Sequence, residues 1–277
     1  MIGALIAQDF RATRKSLFAV VGITLLVTAV SLTLTALRVP VIGGIGLVVG
    51  IIAALALTLI VLGLLIENYW RTMYGREGYF TMTIPVRGRT LFLAKVLYGL
   101  VIAVAGAALS AIGLIGAAIA FALSQGLEPF DFLRTGLGMV EPWMAWFAAA
   151  ALLLQIVYLV VVGAGVMSIG AQARYNHLGF GAPLLGAVIV YLVMQVITFA
   201  AVMVVPFGVV LVGPDAGTLV PRGMLDAFIA ALGDDPATSN GQPPSVLGLG
   251  FVFTSVALIA VMAWWGARSV ERRTSLR

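Results

Sequence analysis

Residues 39–66 read VPVIGGIGLVVGIIAALALTLIVLGLLI, 28 positions without one charge, closed by Glu67. A helix rises about 1.5 Å per residue, so about 20 apolar residues cross the hydrocarbon of a bilayer. This run is long enough to do so and too apolar to be the exposed face of anything in water. Working outward to the next charges on either side gives five more uncharged runs, 16–37, 96–127, 142–173, 175–214 and 236–267. The predicted spans are roughly 17–37, 46–66, 96–123, 143–167, 184–205 and 247–267. Pro183 and Pro206 leave too little chain after the second break for another crossing, so 175–214 holds one span.

Composition agrees. The 277 residues are 62% hydrophobic and 10% charged, with a mean hydropathy of +1.13, whereas soluble domains carry about 25% charged residues. Zero Cys and a single His exclude disulfides and thiolate metal sites and leave little imidazole chemistry. The pI near 9.9 is what basic cytoplasmic loops produce, and no nucleic-acid partner is expected.

Orientation follows from the basic residues. With six spans and a cytoplasmic N-terminus, 13 of the 16 Lys/Arg fall inside, leaving only Arg38, Arg134 and Arg222 outside. The expected fold is an all-α membrane protein with six transmembrane helices, an N-terminal interfacial amphipathic helix, and both termini cytoplasmic. One transmembrane domain covers 1–277. It comprises the interfacial helix 1–16, spans one to three in 17–124 with a long loop at 67–95, spans four to six in 143–267 with an outer loop at 213–245, and a cytoplasmic tail at 268–277. The uncharged stretch after Lys15 exceeds the apolar region of a signal peptide, so no cleavage is expected. The lipid membrane is thus the first partner, and the cytoplasmic membrane the expected location.

In residues 2–17, Ile2, Leu5, Ile6, Phe10 and Leu17 fall on one helical face, with Gln8, Asp9, Arg11, Arg14 and Lys15 elsewhere, the pattern of a helix lying in the interface. The plainer alternative is an inward extension of the first span. Tyr69 with Trp70, Trp143 with Trp146, and Trp264 with Trp265 stand where spans meet an interface. Gly46-xxx-Gly50 and Gly106-xxx-Ser110 permit close helix packing.

None of the predicted spans holds an ionisable residue away from its ends, which counts against a proton- or ion-coupled carrier. The polar groups inside include Gln155, Tyr158, Tyr191 and Gln195. They either line a substrate path or bond a neighbouring helix. Enzyme motifs fail. Val166 stands where the Ser168–Gly170 pair needs a glycine for a nucleophile elbow, His177 is the only histidine, and neither Lys15 nor Lys95 sits in a phosphate-binding loop. Asp234 and Asp235 read as solvated turn residues. The chain is expected to be no enzyme and to bind no metal and no cofactor of its own.

The loop ENYWRTMYGREGYFTMTIPVRGRTLFLAK over 67–95 mixes four arginines with aromatic and aliphatic residues and is divided by Pro85. That composition suits a surface on which a cytosolic partner docks; the alternative is a loop adsorbed on headgroups. With an amphipathic N-terminal helix, six spans and a Pro85-Val86-Arg87 turn leading to Lys95, the chain resembles the permease subunit of type-2 ABC exporters. Arg87 stands directly after Val86 where that family often has Ser, and Phe80, Met82 and Ile84 replace its leucines. The residue-level likeness covers about 76–95.

The resemblance implies two permease subunits, as homo- or heterodimer, around a central pathway. It also implies separate ABC ATPase subunits that carry the ATP and Mg. Arg76, Glu77, Gly78, Tyr79 and Phe80 would form the main coupling element, with Pro85 and Arg87 shaping it. The shorter loop with Tyr175, Asn176 and His177 would form the second. Segment 213–245, with Met224, Leu225, Phe228, Ile229 and Leu232 at helical spacing, would be a lid over the outer exit or an ordinary interfacial helix. The apolar spans favour an apolar or amphipathic cargo. The competing expectation is a non-transporting interaction, immunity or sensor protein using the same loops.

Overall fold

The computed structural model describes residues 2–38, 41–75, 77–83, 85–211, 216–225, 228–229 and 246–272. Its helices are α1 (Ile2–Ala36), α2 (Ile42–Met73), α3 (Gly78–Met82), α4 (Gly88–Gln125), α5 (Pro129–Gly138), α6 (Pro142–Gly170), α7 (Gly181–Val204) and α8 (Gly250–Arg272). All but α3 and α5 are long and apolar enough to cross a membrane. The protein is an all-α, multi-pass membrane protein.

Local chemistry sets the breaks. Prolines occupy the first turn of α5 and α6, where no backbone N–H is missed. α4 stops at Gly126, whose φ of 76° is the left-handed cap that glycine adopts without strain. There the Nε of Arg38 donates to the Leu123 carbonyl at 2.9 Å, a cation at the negative end of a helix. Val205 is already extended before Pro206 and ends α7.

Helices α1, α2 and α4 pack against one another, and α6, α7 and α8 form a second group joined to the first mainly through α4, with a smaller contact between α2 and α6. The small residues noted in the sequence make the first group close. A Cβ on Gly46 would stand 2.6 Å from the Ser31 carbonyl oxygen, and one on Gly50 2.6 Å from Leu32. Hydroxyls bond across the same seams, Thr35 Oγ1 donating to the Gly43 carbonyl at 2.9 Å and Thr58 pairing with Ser110 at 2.7 Å.

The start of α1, the ends of α2, α6 and α8 and the start of α4 meet at one end of the molecule. Asp9 pairs with Lys95, Arg89 with Glu271 at 2.7 Å, and Gln172 donates to Ser269 at 3.1 Å. An even number of crossings is therefore built into the packing. At the opposite end α5 lies between α4 and α6, and a small antiparallel sheet, β1 (Gly208–Val210), β2 (Leu219–Val220) and β3 (Val246–Gly248) in the order β2-β1-β3, lies between α7 and α8. The sheet was not expected from the hydropathy pattern, because its strands are only two or three residues long. Of the expected lid, 224–225 and 228–229 are helical, and the remainder of its apolar run lies outside the described residues.

Three expectations need correcting. Residues 2–17 are not a separate interfacial helix but the first turns of one continuous α1. Its buried stripe is Leu5, Asp9, Thr13 and Leu17, while Phe10 is exposed. Asp9 thus sits on the packed face, not the polar one, because α4 supplies its counter-charge. Ionisable residues do stand within the long helices, since α1 and α4 reach further inward than their uncharged runs and carry Asp9 and Lys95 in their bodies. Finally, Tyr69 is no interfacial anchor: it is buried, and its hydroxyl meets Ser168 Oγ at 2.6 Å.

Candidate functional site

The loop after α2 folds as a five-residue helix, α3, standing beyond the ends of α2 and α4. Pro85 and the extended Arg87 separate it from α4. Gly78 and Thr81 are its buried side, whereas Tyr79 is 52% and Phe80 78% exposed. Two large aromatic side chains of this short helix are thus left uncovered within the chain. Glu77 at its start reaches the Nε of Arg71 at 3.4 Å. Pro85 and Arg87 are both exposed. Arg76 lies outside the described residues.

Beneath α3 is a cavity of about 180 Å³ lined by Asp9, Thr72, Glu77, Phe80, Thr81 and Lys95 among others. Its floor is a buried polar clasp. The ammonium of Lys95 donates to Asp9 Oδ1 and, at 2.9 Å, to Thr72 Oγ1. Thr13 Oγ1 donates to the Asp9 carbonyl at 2.9 Å and contacts the Tyr98 hydroxyl. Since that threonine hydrogen is committed, Tyr98 is the donor of the second bond. Buried charges persist only when paired in this way. α3 thus shares one cavity with groups contributed by α1, α2 and α4.

At the same end, the 3-10 turn Ala173–Leu178 follows α6. The guanidinium of Arg174 covers the Tyr175 ring at 4.5 Å. The side chains of Asn176 and His177 lie outside the described residues. Phe180 meets Trp70 edge-on with ring centroids 5.2 Å apart. That contact links the second loop to the end of α2, beside the first. Next to Trp70 is Tyr74, whose phenol burial pushes up to about 12, so it stays neutral.

The four spanning residues divide. Tyr158 and Tyr191 line one cavity of about 300 Å³ between α6, α7 and the end of α2. Gln155 and Gln195 are exposed on the outer faces of α6 and α7 and do not belong to that lining. Among the described residues no group of three or more His, Asp and Glu could hold a metal.

Sequence reasoning missed Asp9, Asn68, Thr72 and Tyr98 as members of one cluster and treated Lys95 only as part of a motif. Two signals were present: Asp9 and Thr13 continue the four-residue spacing of Leu5 and Leu17, and Lys95 immediately precedes an uncharged run. No family model, no curated protein and no solved structure matches the chain.

Proposed function

We propose that this chain is the transmembrane permease subunit of an ATP-driven exporter in the cytoplasmic membrane, working with a separate ATPase that carries the ATP and Mg. The observation that supports it is α3, a short helix with Tyr79 and Phe80 exposed that shares a cavity with the Asp9–Lys95–Thr72 clasp. A cytosolic partner pressing on α3 would push three spans together, because the clasp joins α1, α2 and α4. The turn at 173–178 offers a second foothold, tied to α2 through Phe180 and Trp70.

In this reading the chain contributes no hydrolytic chemistry; it receives motion and converts it into exposure of a membrane pathway. An apolar or amphipathic cargo suits the described cavities between the spans, which are walled mainly by aliphatic and aromatic side chains. Two copies, or this chain and a second permease, would enclose the pathway. α7 supports such pairing, since none of its central apolar window is buried within the chain.

The test is affinity purification of the tagged chain in mild detergent with mass spectrometry of what accompanies it. The expected result is a stoichiometric cytosolic ATPase that is lost from Tyr79→Ala/Phe80→Ala. A chain purified as a dimer without any ATPase would replace this reading by that of a non-transporting interaction or sensor protein.

A further inference from the structure

At the basic end of the molecule a cavity of about 300 Å³ lies between α6, α7 and α8. Ile169, Leu185, Ile189 and Met262 give it apolar walls, and two rings that carry a polar atom, Tyr175 of the 3-10 turn and Trp265 of α8, also belong to its lining. Of the lining residues, Leu178, Leu185, Ile189 and Trp265 are exposed, so the cavity is open at its side. Along α7 it runs from Ala182 to Ile189, about 10 Å at the rise of a helix. That is within the half of a hydrocarbon core about 30 Å thick that one leaflet fills.

Two arginines stand at the same end. The guanidinium of Arg174 covers the ring of Tyr175, a wall residue, at 4.5 Å. Arg268 follows Trp265 by one turn of α8, toward the basic end, and its guanidinium lies 5.5 Å from the Trp264 ring. The bond from Gln172 to Ser269 at 3.1 Å ties together the two segments that carry these arginines. Ion pairs at this end engage Arg71, Arg89 and Lys95, whereas neither Arg174 nor Arg268 has a carboxylate partner among the described residues. Arg174 is exposed and Arg268 partly so, which leaves both within reach of a group outside the chain.

We propose that this cavity binds an anionic phospholipid of the leaflet at the basic end, with one acyl chain between α6, α7 and α8 and the phosphate facing Arg174 and Arg268. Apolar walls at leaflet depth match a chain, and two guanidiniums without a carboxylate match an anion; an anionic lipid supplies both in one molecule. A zwitterionic headgroup brings its own ammonium toward the two cations and loses that attraction. A free phosphate has no chain for the cavity. Tyr175 and Trp265 suit the level of the ester groups, where rings with one apolar body and one polar edge gather. The occupant is a component of the membrane and not a cargo, so the inference goes beyond the exporter reading and stands without it.

The test is photo-crosslinking of the full chain in phosphatidylcholine nanodiscs, with a small fraction of phosphatidylglycerol or phosphatidylcholine carrying a diazirine midway along one acyl chain. Labelled peptides are read by mass spectrometry. Phosphatidylglycerol should label residues 182–190 and 262–265 about thirtyfold more than phosphatidylcholine, the product of about fivefold for each basic residue near the surface. Arg174→Gln and Arg268→Gln should each lower that preference to about fivefold, and the double variant should abolish it. Arg174→Lys/Arg268→Lys, which keeps both charges but not the stacked guanidiniums, should retain at least about tenfold. That variant separates loss of charge from damage to the fold. Equal labelling by the two lipids in the wild-type chain would overturn the proposal, as would a preference untouched in the double glutamine variant. So would phosphatidylglycerol labelling spread evenly onto the exposed Leu192 and Val196 of α7, the mark of lipid that merely surrounds the protein.

Discussion

Helices α2 and α7 both carry long apolar stretches, yet the surroundings of those stretches differ. In the most apolar stretch of α2, 28% of residues are buried inside the chain; in α7 the share is 0%. α2 is held by glycines that let α1 approach and by hydroxyl bonds to α4, whereas α7 buries only Ala182 and Pro183 at its inner end. Hydrophobicity therefore does not tell a packed span from a loosely attached one. Lipid is as apolar as a helix partner, and packing in a membrane is selected by small residues and satisfied polar groups instead.

The largest way to break the contrast is to attack the clasp beneath the packed group. Lys95→Met leaves Asp9 buried and uncompensated, with an expected loss of about 3–5 kcal/mol, while Asp9→Leu/Lys95→Met should recover most of it. Thermal unfolding of the purified chain in detergent checks both. A double variant as unstable as the single one would show that the clasp is not an isolated pair.

Next in size is Gly46→Leu, whose side chain would have to displace the backbone of α1 at Ser31. A loss of about 1–3 kcal/mol is expected from overpacking. Gly44→Leu, beside it but with open space at its Cβ, should change stability little. Equal effects of the two in limited proteolysis would dissolve the distinction between packed and open faces of α2.

Tyr69→Phe removes only the bond to Ser168 that ties the end of α2 to α6. The expected cost is about 1 kcal/mol, read as a lowered unfolding temperature. Smallest for stability is Glu77→Arg. Its pair with Arg71 is half-exposed, so the fold should change by less than about 1 kcal/mol. Under the exporter reading, however, ATP hydrolysis should continue while cargo movement fails. Unchanged transport would remove Glu77 from the coupling element.

Much of the fold was legible from charges alone. The uncharged run 39–66 lies inside α2 except for its first three residues, and each of the other predicted spans overlaps an observed helix. Pro85 marks the division between α3 and α4, and Pro206 the end of α7. Less legible was the extent of the helices, because Asn68, Tyr69, Arg89 and Lys95 look like loop residues by polarity yet continue α2 and α4. For the residues singled out in the sequence, the structure gives placement only: Tyr79 and Phe80 are exposed on α3, Tyr158 and Tyr191 line one cavity, and Gln155 and Gln195 are exposed outside it. An amide in a span carries no sign of which way it faces.

What the sequence by itself determined is the number of crossings and the end at which the basic residues gather. Both follow from local rules, since each span must satisfy its own backbone hydrogen bonds and each charge stays near water unless paired. What only the tertiary structure decided is that Asp9 and Lys95, 86 residues apart, meet inside the protein, and that Tyr158 of α6 and Tyr191 of α7 line one cavity. Those depend on how helices turn about their axes, and in a membrane that rotation is set by which residues fit against a neighbour, a fact no single helix contains.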